Sequence, residues 1–134
     1  MGYCIYQEDS QFFIEKRLQI GVLDAIKALH GKETIGDSSG KHFSWVNHNF
    51  YESNDLEEIM HDWRWEIFFD GDGNINEIEF IGQKIGDDEI LFKAIAPFVE
   101  DGSYIEMRGE DGCMWRWEFN NGRLEEKTAR IVWE

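Results

Sequence analysis

The amino-acid sequence predicts an α+β fold, an antiparallel, hairpin-rich sheet of about six to eight strands packed under three helices. Three observations lead there. Apolar residues recur with helical period in three stretches, Leu18 to Leu29, Leu56 to Trp63 and Leu91 to Ile95. Elsewhere, aromatic and β-branched residues alternate with polar ones, the period of a half-buried strand. Three turn segments, Asp70-Gly71-Asp72-Gly73, Glu110-Asp111-Gly112 and Asn120-Asn121-Gly122, each separate two such runs, and tight glycine turns imply antiparallel neighbours.

Taken in order, Tyr3 to Gln7 and Gln11 to Glu15 read as an opening hairpin turning at Glu8-Asp9-Ser10. Leu18, Val22, Ala25, Ile26 and Leu29 form the stripe of the first helix, with Gly31 at the position of a helix C-cap. Gly31 to Lys41, rich in Gly and Ser, reads as a surface loop. The second helix is expected from Asn54, capped by that side chain with Glu57 reaching back, and buries Leu56, Ile59, Met60 and Trp63 while Asp55, Glu58 and Asp62 face out. The third runs from about Asp88 to Ala96, with acids in its first turn complementing the helix dipole and Pro97 limiting it. Its core residues are Leu91, Phe92 and Ile95.

Spacing by two assigns the strand faces. Trp65, Ile67 and Phe69 share one, as do Cys113, Trp115, Trp117 and Phe119, and a last strand carries Ala129, Ile131 and Trp133. Trp63-Arg64-Trp65-Glu66 is echoed by Trp115-Arg116-Trp117-Glu118, each leading to a glycine turn. A duplicated unit would produce this echo, and so would two strands converging on aromatic-in, charged-out alternation. Under both readings Arg64 and Glu66, like Arg116 and Glu118, face away from the tryptophans.

At 134 residues the chain suits a single domain spanning 1–134, able to bury one core. Twenty aromatic residues exclude a disordered acidic tail. With no apolar run of membrane-spanning length and no basic leader, a cytoplasmic protein is expected, and Cys4 and Cys113 are expected to be reduced.

No motif assigns a reaction. Asp70-Gly71-Asp72-Gly73-Asn74 opens like a calcium loop, but the sixth position is Ile75 where a glycine is needed and the twelfth is Ile81 where a bidentate Glu should close the site. It reads as a hairpin turn. His30, His42, His48 and His61 make none of the short spacings of a zinc site, and no phosphate loop or nucleophile elbow occurs. Glu106 and Glu118, the best carboxylate pair for acid/base work, are interspersed with Arg108 and Arg116 on adjacent strands, so cross-strand ion pairing explains them. The expectation is a non-enzymatic chain with no metal and no cofactor.

Phe98-Val99-Glu100-Asp101-Gly102-Ser103-Tyr104-Ile105, with Gly109-Glu110-Asp111-Gly112 and Trp115-Arg116-Trp117, resembles small acidic proteins of Gram-positive bacteria and their mobile elements. The resemblance covers mainly the second half and implies a bacterial or phage source. It brings no activity, ligand or catalytic residue.

Charge is the clearest functional signal. Between Glu52 and Asp111 lie eighteen carboxylates and four basic residues, a net of −14 out of −15 for the chain. Such a field repels nucleic acid and attracts cationic surfaces. The function expected is therefore binding to a basic partner protein, such as a nucleic-acid-binding enzyme, as an inhibitor or immunity-type nucleic-acid mimic. The residues expected to carry it are Asp55, Glu58, Asp62, Glu77, Glu79 and Glu106. The alternatives are a small-ligand or enzymatic pocket lined by Trp45, Trp63, Tyr104, Trp115, His42 and His48, and a structural assembly subunit presenting Phe68 and Tyr104 as an apolar patch.

Overall fold

The computed structural model describes residues 2–32, 43–47, 49–130 and 132–133. Within them the chain is α+β, with six strands and three α-helices. A four-stranded antiparallel sheet has the order β1 (Ile5–Gln11), β4 (Ser103–Gly109), β5 (Met114–Asn120), β6 (Arg123–Thr128). A separate antiparallel pair is formed by β2 (Trp65–Phe69) and β3 (Ile75–Phe80). The helices are α1 (Gln19–Lys27), α2 (Leu56–Asp62) and α3 (Asp88–Ile95).

All three expected hairpins form. The tightest is Asn121-Gly122, joining Asn120 opposite Arg123, with φ positive at both residues (56° and 74°), the twist that matches two antiparallel strands and the reason for Asn and Gly there.

The opening hairpin does not form. Ile5 to Gln11 is one strand, and Glu8-Asp9-Ser10 lies within it, because β4 pairs along its whole length from Ile5↔Gly109 to Gln11↔Tyr104. The irregularity in the sequence becomes a register shift between Gln7 and Asp9, so the polar triplet is accommodated by a bulge in place of a turn.

That bulge opens the sheet. At one end of β1, Ile5 N donates to Gln83 O at 3.0 Å; beyond the other, Ile14 and Ile75 exchange both backbone hydrogen bonds at 2.9 Å. Both bridged pairs flanking the opening, Cys4↔Lys84 and Ile14↔Ile75, are antiparallel. The strands thus follow one antiparallel sequence, β2, β3, β1, β4, β5, β6, parted in the middle between β3 and β1. There the Gln7 side chain substitutes for a strand: Nε2 donates to Ile78 O at 2.8 Å and Oε1 accepts from Phe80 N at 2.7 Å. A one-piece sheet of six or more strands is therefore corrected to four plus two.

The helices close over the inner face. Phe92 on α3 packs against Trp65 (5.0 Å between ring centres), Trp117 (5.2 Å) and Phe119 (6.0 Å), joining both sheets through one side chain. Burying each such residue contributes roughly 1.5–3 kcal/mol. Val22 and Ile26 of α1 are buried as the stripe predicts, and Gly31, at φ 88°, ends that segment in the left-handed conformation.

Four further expectations are corrected. The cap of α2 is Asp55, whose carboxylate accepts from Glu58 N at 2.8 Å, while Glu58 reaches back to Asn54 N at 2.8 Å; the capping pair sits one residue later than Asn54 and Glu57. Arg64 does not face solvent opposite the tryptophans, because it lies in the turn before β2 at φ 72° and its side chain turns inward. The first copy of the echoed motif thus straddles a helix end and a strand, whereas the second lies wholly within β5. Beyond Thr128 no strand continues among the described residues, and Trp133 is 91% exposed, not a core residue of a last strand. Ile131 lies outside the described residues, as does most of the Gly31 to Lys41 segment.

Candidate functional site

The outward faces of the two sheets carry opposite electrostatic designs. On the four-stranded sheet like charges also stand opposite one another, at Asp9↔Glu106, Arg116↔Lys127 and Glu118↔Glu125, but arginines and a lysine lie beside the carboxylates. Arg116 Nε bonds Glu106 Oε1 at 2.7 Å, Arg108 Nε bonds Glu8 Oε2 at 3.0 Å, and Lys127 lies within 4.0 Å of both Glu118 and Glu125. Two of these cations also cover aromatic rings, Arg108 over Tyr6 at 4.9 Å and Arg116 over Tyr104 at 4.6 Å. Tyr104 donates to Asp9 at 2.9 Å, a bond that raises the pKa of its phenol. This surface is a compensated ladder.

On the β2–β3 hairpin, the outward residues are Glu66 directly opposite Glu79 and Phe68 directly opposite Glu77. The partner of Glu66 is His61, at 3.9 Å, and neither Glu77 nor Glu79 has a hydrogen bond or ion pair among the described residues. Like charges directly opposed across a strand pair destabilise it. Phe68, 37% exposed, stands among these three carboxylates. Beside the hairpin, the opening between β3 and β1 is a groove of 530 Å3 bordered by Glu8, Asp9, Glu77 and Glu79, with Gln7 crossing it.

The other acids expected to bind a partner are engaged locally. Asp55 and Glu58 cap α2. Asp62 accepts from Ser53 Oγ at 2.5 Å and from Asn47 Nδ2 at 3.2 Å, tying the end of α2 to the preceding segment. Glu106 pairs with Arg116. Of the six, Glu77 and Glu79 stand together in the uncompensated face. Glu66 joins them and escaped sequence reasoning. Its signal was present: counting back from the Asp70–Gly73 turn in steps of two places Glu66 on the face of Phe68, but the one-residue bulge at Phe69↔Ile75 hides its opposition to Glu79.

The turn itself holds Asp70 through its own backbone. Asp70 Oδ1 accepts from Asp72 N and Asn74 N, each at 2.9 Å, and Oδ2 from Asn74 Nδ2 at 3.2 Å. Partial desolvation pushes this carboxyl upward, and the donors from Asn74, Asp72 and Gly73 more than offset it, leaving the pKa below its ordinary value. Among the described residues no group of three His, Cys, Asp or Glu side chains is placed to hold a metal ion.

The aromatic pocket is not assembled as expected. Trp63 is 0% exposed in the core against Phe43 and Phe50, Tyr104 lies on the outward face under Arg116, and Trp45 is exposed, at φ 64°. His42 and His48 lie outside the described residues. His30 stacks on Tyr51 at 3.7 Å. Trp115 does line a concavity, but a different one, a groove of 390 Å3 between α3 and the inner faces of β5 and β6 that also includes Tyr3, Ile90 and Trp117.

At the end of that groove the N-terminal segment is clipped to the β4–β5 turn. Tyr3 donates to Asp111 Oδ1, and its hydroxyl lies against Gly109, where an added Cβ would collide with it. The bond to Asp111, with desolvation and the charge of Asp111 adding to it, pushes the Tyr3 phenol up to about 12. In return, the bond from Tyr3 and the amide of Cys113 hold the Asp111 carboxyl below its ordinary range. Lys84 Nζ bonds Cys4 Sγ at 3.1 Å, and both cysteines are free thiols.

No helix among the described residues is long and apolar enough to cross a membrane. No protein-family model matches this chain, and neither a curated protein nor a solved structure matches it.

Proposed function

We propose that the chain is a non-enzymatic binding protein whose outward β2–β3 face docks on a basic surface of a partner protein. The observation that supports this reading is the contrast between two adjacent faces. Carboxylates on the four-stranded sheet are matched by Arg108, Arg116 and Lys127, whereas Glu66, Glu77 and Glu79 surround an exposed Phe68 with no lysine or arginine paired to them among the described residues. Like-charge opposition costs folding stability, and a cationic partner removes that cost on binding. Phe68 supplies an apolar anchor inside the acidic rim.

Residues two apart on one strand face, such as Glu77 and Glu79, repeat at about 7 Å. A row of negative charges at that interval suits a surface built to hold a phosphate backbone, so the partner class is a nucleic-acid-binding enzyme and the role is that of an inhibitor or immunity-type mimic. A bacterial or phage source accords with this.

The test immobilises the wild-type chain and the Glu66→Gln/Glu77→Gln/Glu79→Gln variant against one nucleic-acid-depleted bacterial lysate, with bound proteins identified by mass spectrometry. A protein with a basic nucleic-acid channel should be retained by wild type alone, be displaced by added DNA, and be released as salt rises from about 50 to about 200 mM. Equal retention by the variant, or retention indifferent to salt, rejects the reading.

A further inference from the structure

We propose that the parting between β3 and β1 is a docking edge for an extended basic segment of the partner protein, which enters parallel to β3 and takes the place of the Gln7 carboxamide. This rests on the docking reading above and names the element that the acidic face receives. Between Ile5 with Gln83 at one end and Ile14 with Ile75 at the other, no backbone hydrogen bond joins the two strands among the described residues. The opening is the groove of 530 Å3. Sheet edges in this state recognise the backbone of an added strand, and side chains along the edge select its sequence.

The bonds of Gln7 fix the orientation. Its carboxamide donates to Ile78 O at 2.8 Å and accepts from Phe80 N at 2.7 Å, so one group bridges the residues on either side of Glu79. That is the pair of bonds a single residue makes in a parallel ladder, where its N–H and its C=O reach neighbours two apart on the adjoining strand. In an antiparallel ladder both go to one residue. A segment bonded as Gln7 is bonded therefore runs parallel to β3. It runs antiparallel to β1, because the bridges that flank the opening, Cys4↔Lys84 and Ile14↔Ile75, are antiparallel. Gln7 is half-buried, and an entering residue restores both of its bonds, so the exchange leaves neither Ile78 O nor Phe80 N unpaired.

Register then sets the side chains. The entering residue seated opposite Glu79 points to the outward face beside it, and the residue two before it stands beside Glu77. The residue two after it meets Ile81, 43% exposed. Glu8 and Asp9 on the far rim are engaged by Arg108 and Tyr104, so the charge left to match is that of Glu77 and Glu79, both exposed. The complementary segment has the pattern basic-x-basic-x-apolar, with small residues between, since their side chains turn toward buried Ile5 and Ile78. No two basic residues of this chain are two apart, so a second copy does not carry the pattern.

The probe is acetyl-Ala-Arg-Ala-Arg-Ala-Val-amide, titrated into the 15N-labelled full chain while the Gln7 side-chain NH2 and the Phe80 amide are followed. Both signals should shift together and saturate with a Kd of about 1 mM or tighter. The same peptide N-methylated at its second arginine, which loses the donor to Ile78 O, should bind about tenfold more weakly. The rearranged acetyl-Ala-Ala-Arg-Arg-Val-Ala-amide, whose arginines point to opposite faces, should lose about as much, as should the original peptide on the Glu77→Gln/Glu79→Gln variant. Equal binding of the three peptides, or binding that leaves Gln7 and Phe80 unmoved, overturns the inference. So does a response at Gln7 that follows protein concentration alone, which assigns the edge to a second copy. A lysate protein retained through Glu66, Glu77 and Glu79 with Gln7 and Phe80 unmoved keeps the docking reading and removes this one. Displacement of Gln7 by the peptide with no basic protein retained removes that reading and keeps the edge.

Discussion

Arg64 Nη2 lies 2.9 Å from Asp88 Oδ2, joining the turn before β2 to the first residue of α3, in an ion pair whose side chains are 14% and 1% exposed. Asp88 also accepts from Trp65 Nε1 at 3.0 Å and from Gly86 N at 3.0 Å, and Arg64 donates to Lys84 O and covers the Phe80 ring at 5.2 Å. A buried pair of this kind is costly to break from one side, because the remaining charge has no water to return to.

Asp88→Ala and Arg64→Ala are each expected to lower the unfolding free energy by about 3–5 kcal/mol in urea titrations. The double variant Arg64→Met/Asp88→Leu should recover much of that loss, since it buries no orphaned charge. Losses in the double variant equal to the sum of the two singles would show that the charges are not coupled.

The clip between Tyr3 and Asp111 predicts two pH dependences of opposite sense. Tyr3 has a folded pKa of about 12 against an ordinary value of 10.0, so its stabilising contribution is complete below pH 10 and disappears as pH rises toward 12. Asp111 is held below the ordinary 3.8, so its contribution is present above that value and lost as pH falls through the folded one. Ultraviolet titration should show two late-ionising phenols, Tyr3 and Tyr104, the latter raised by its bond to Asp9, and Tyr3→Phe should remove one of them. The same variant should move the Asp111 carboxyl upward in an NMR titration, though not fully to its ordinary value, because the Cys113 amide still donates to it.

Glu66 and Glu79 oppose each other directly. Neutralising one, as in Glu79→Gln, should raise stability by about 0.2–1 kcal/mol while weakening partner binding, a trade of stability for function. Asp55 supplies the contrast. As the cap of α2, Asp55→Ala should cost about 1 kcal/mol and Asp55→Asn very little, with no effect on binding in either case. Thermal melts of the three variants, alongside capture assays, separate acids that hold the fold from acids that face a partner.

Gln7 closes the parting between the sheets with two bonds to β3. Gln7→Ala leaves Phe80 N and Ile78 O without these partners and is expected to cost about 1–3 kcal/mol. Hydrogen exchange at the Phe80 amide should accelerate more than at Ile75, whose bonds to Ile14 are made by backbone alone.

Features set by a few adjacent residues were legible in the sequence. Hairpin turns depend on which residues tolerate positive φ, and all three expected turns are present. Helical stripes depend on period, and Val22 with Ile26, Ile59 with Met60, and Leu91 with Phe92 and Ile95 are buried as expected. The errors arose where a local signal admits two tertiary answers. Glu8-Asp9-Ser10 satisfies a turn or a bulge equally, and pairing with β4, almost a hundred residues away, selected the bulge. Arg64 reads as an outward strand residue until the turn at φ 72° aims it at Asp88.

The candidate site divides in the same way. Composition alone determined that the central stretch is strongly acidic, because net charge does not depend on conformation. Which of those acids remain uncompensated was decided by tertiary structure. Asp55, Glu58, Asp62 and Glu106 are engaged by caps, hydroxyls and an arginine, whereas register sets Glu66, Glu77 and Glu79 around Phe68. The physical reason is range: charge sums along the chain, but pairing requires contact within about 4 Å, and only folding brings distant residues that close.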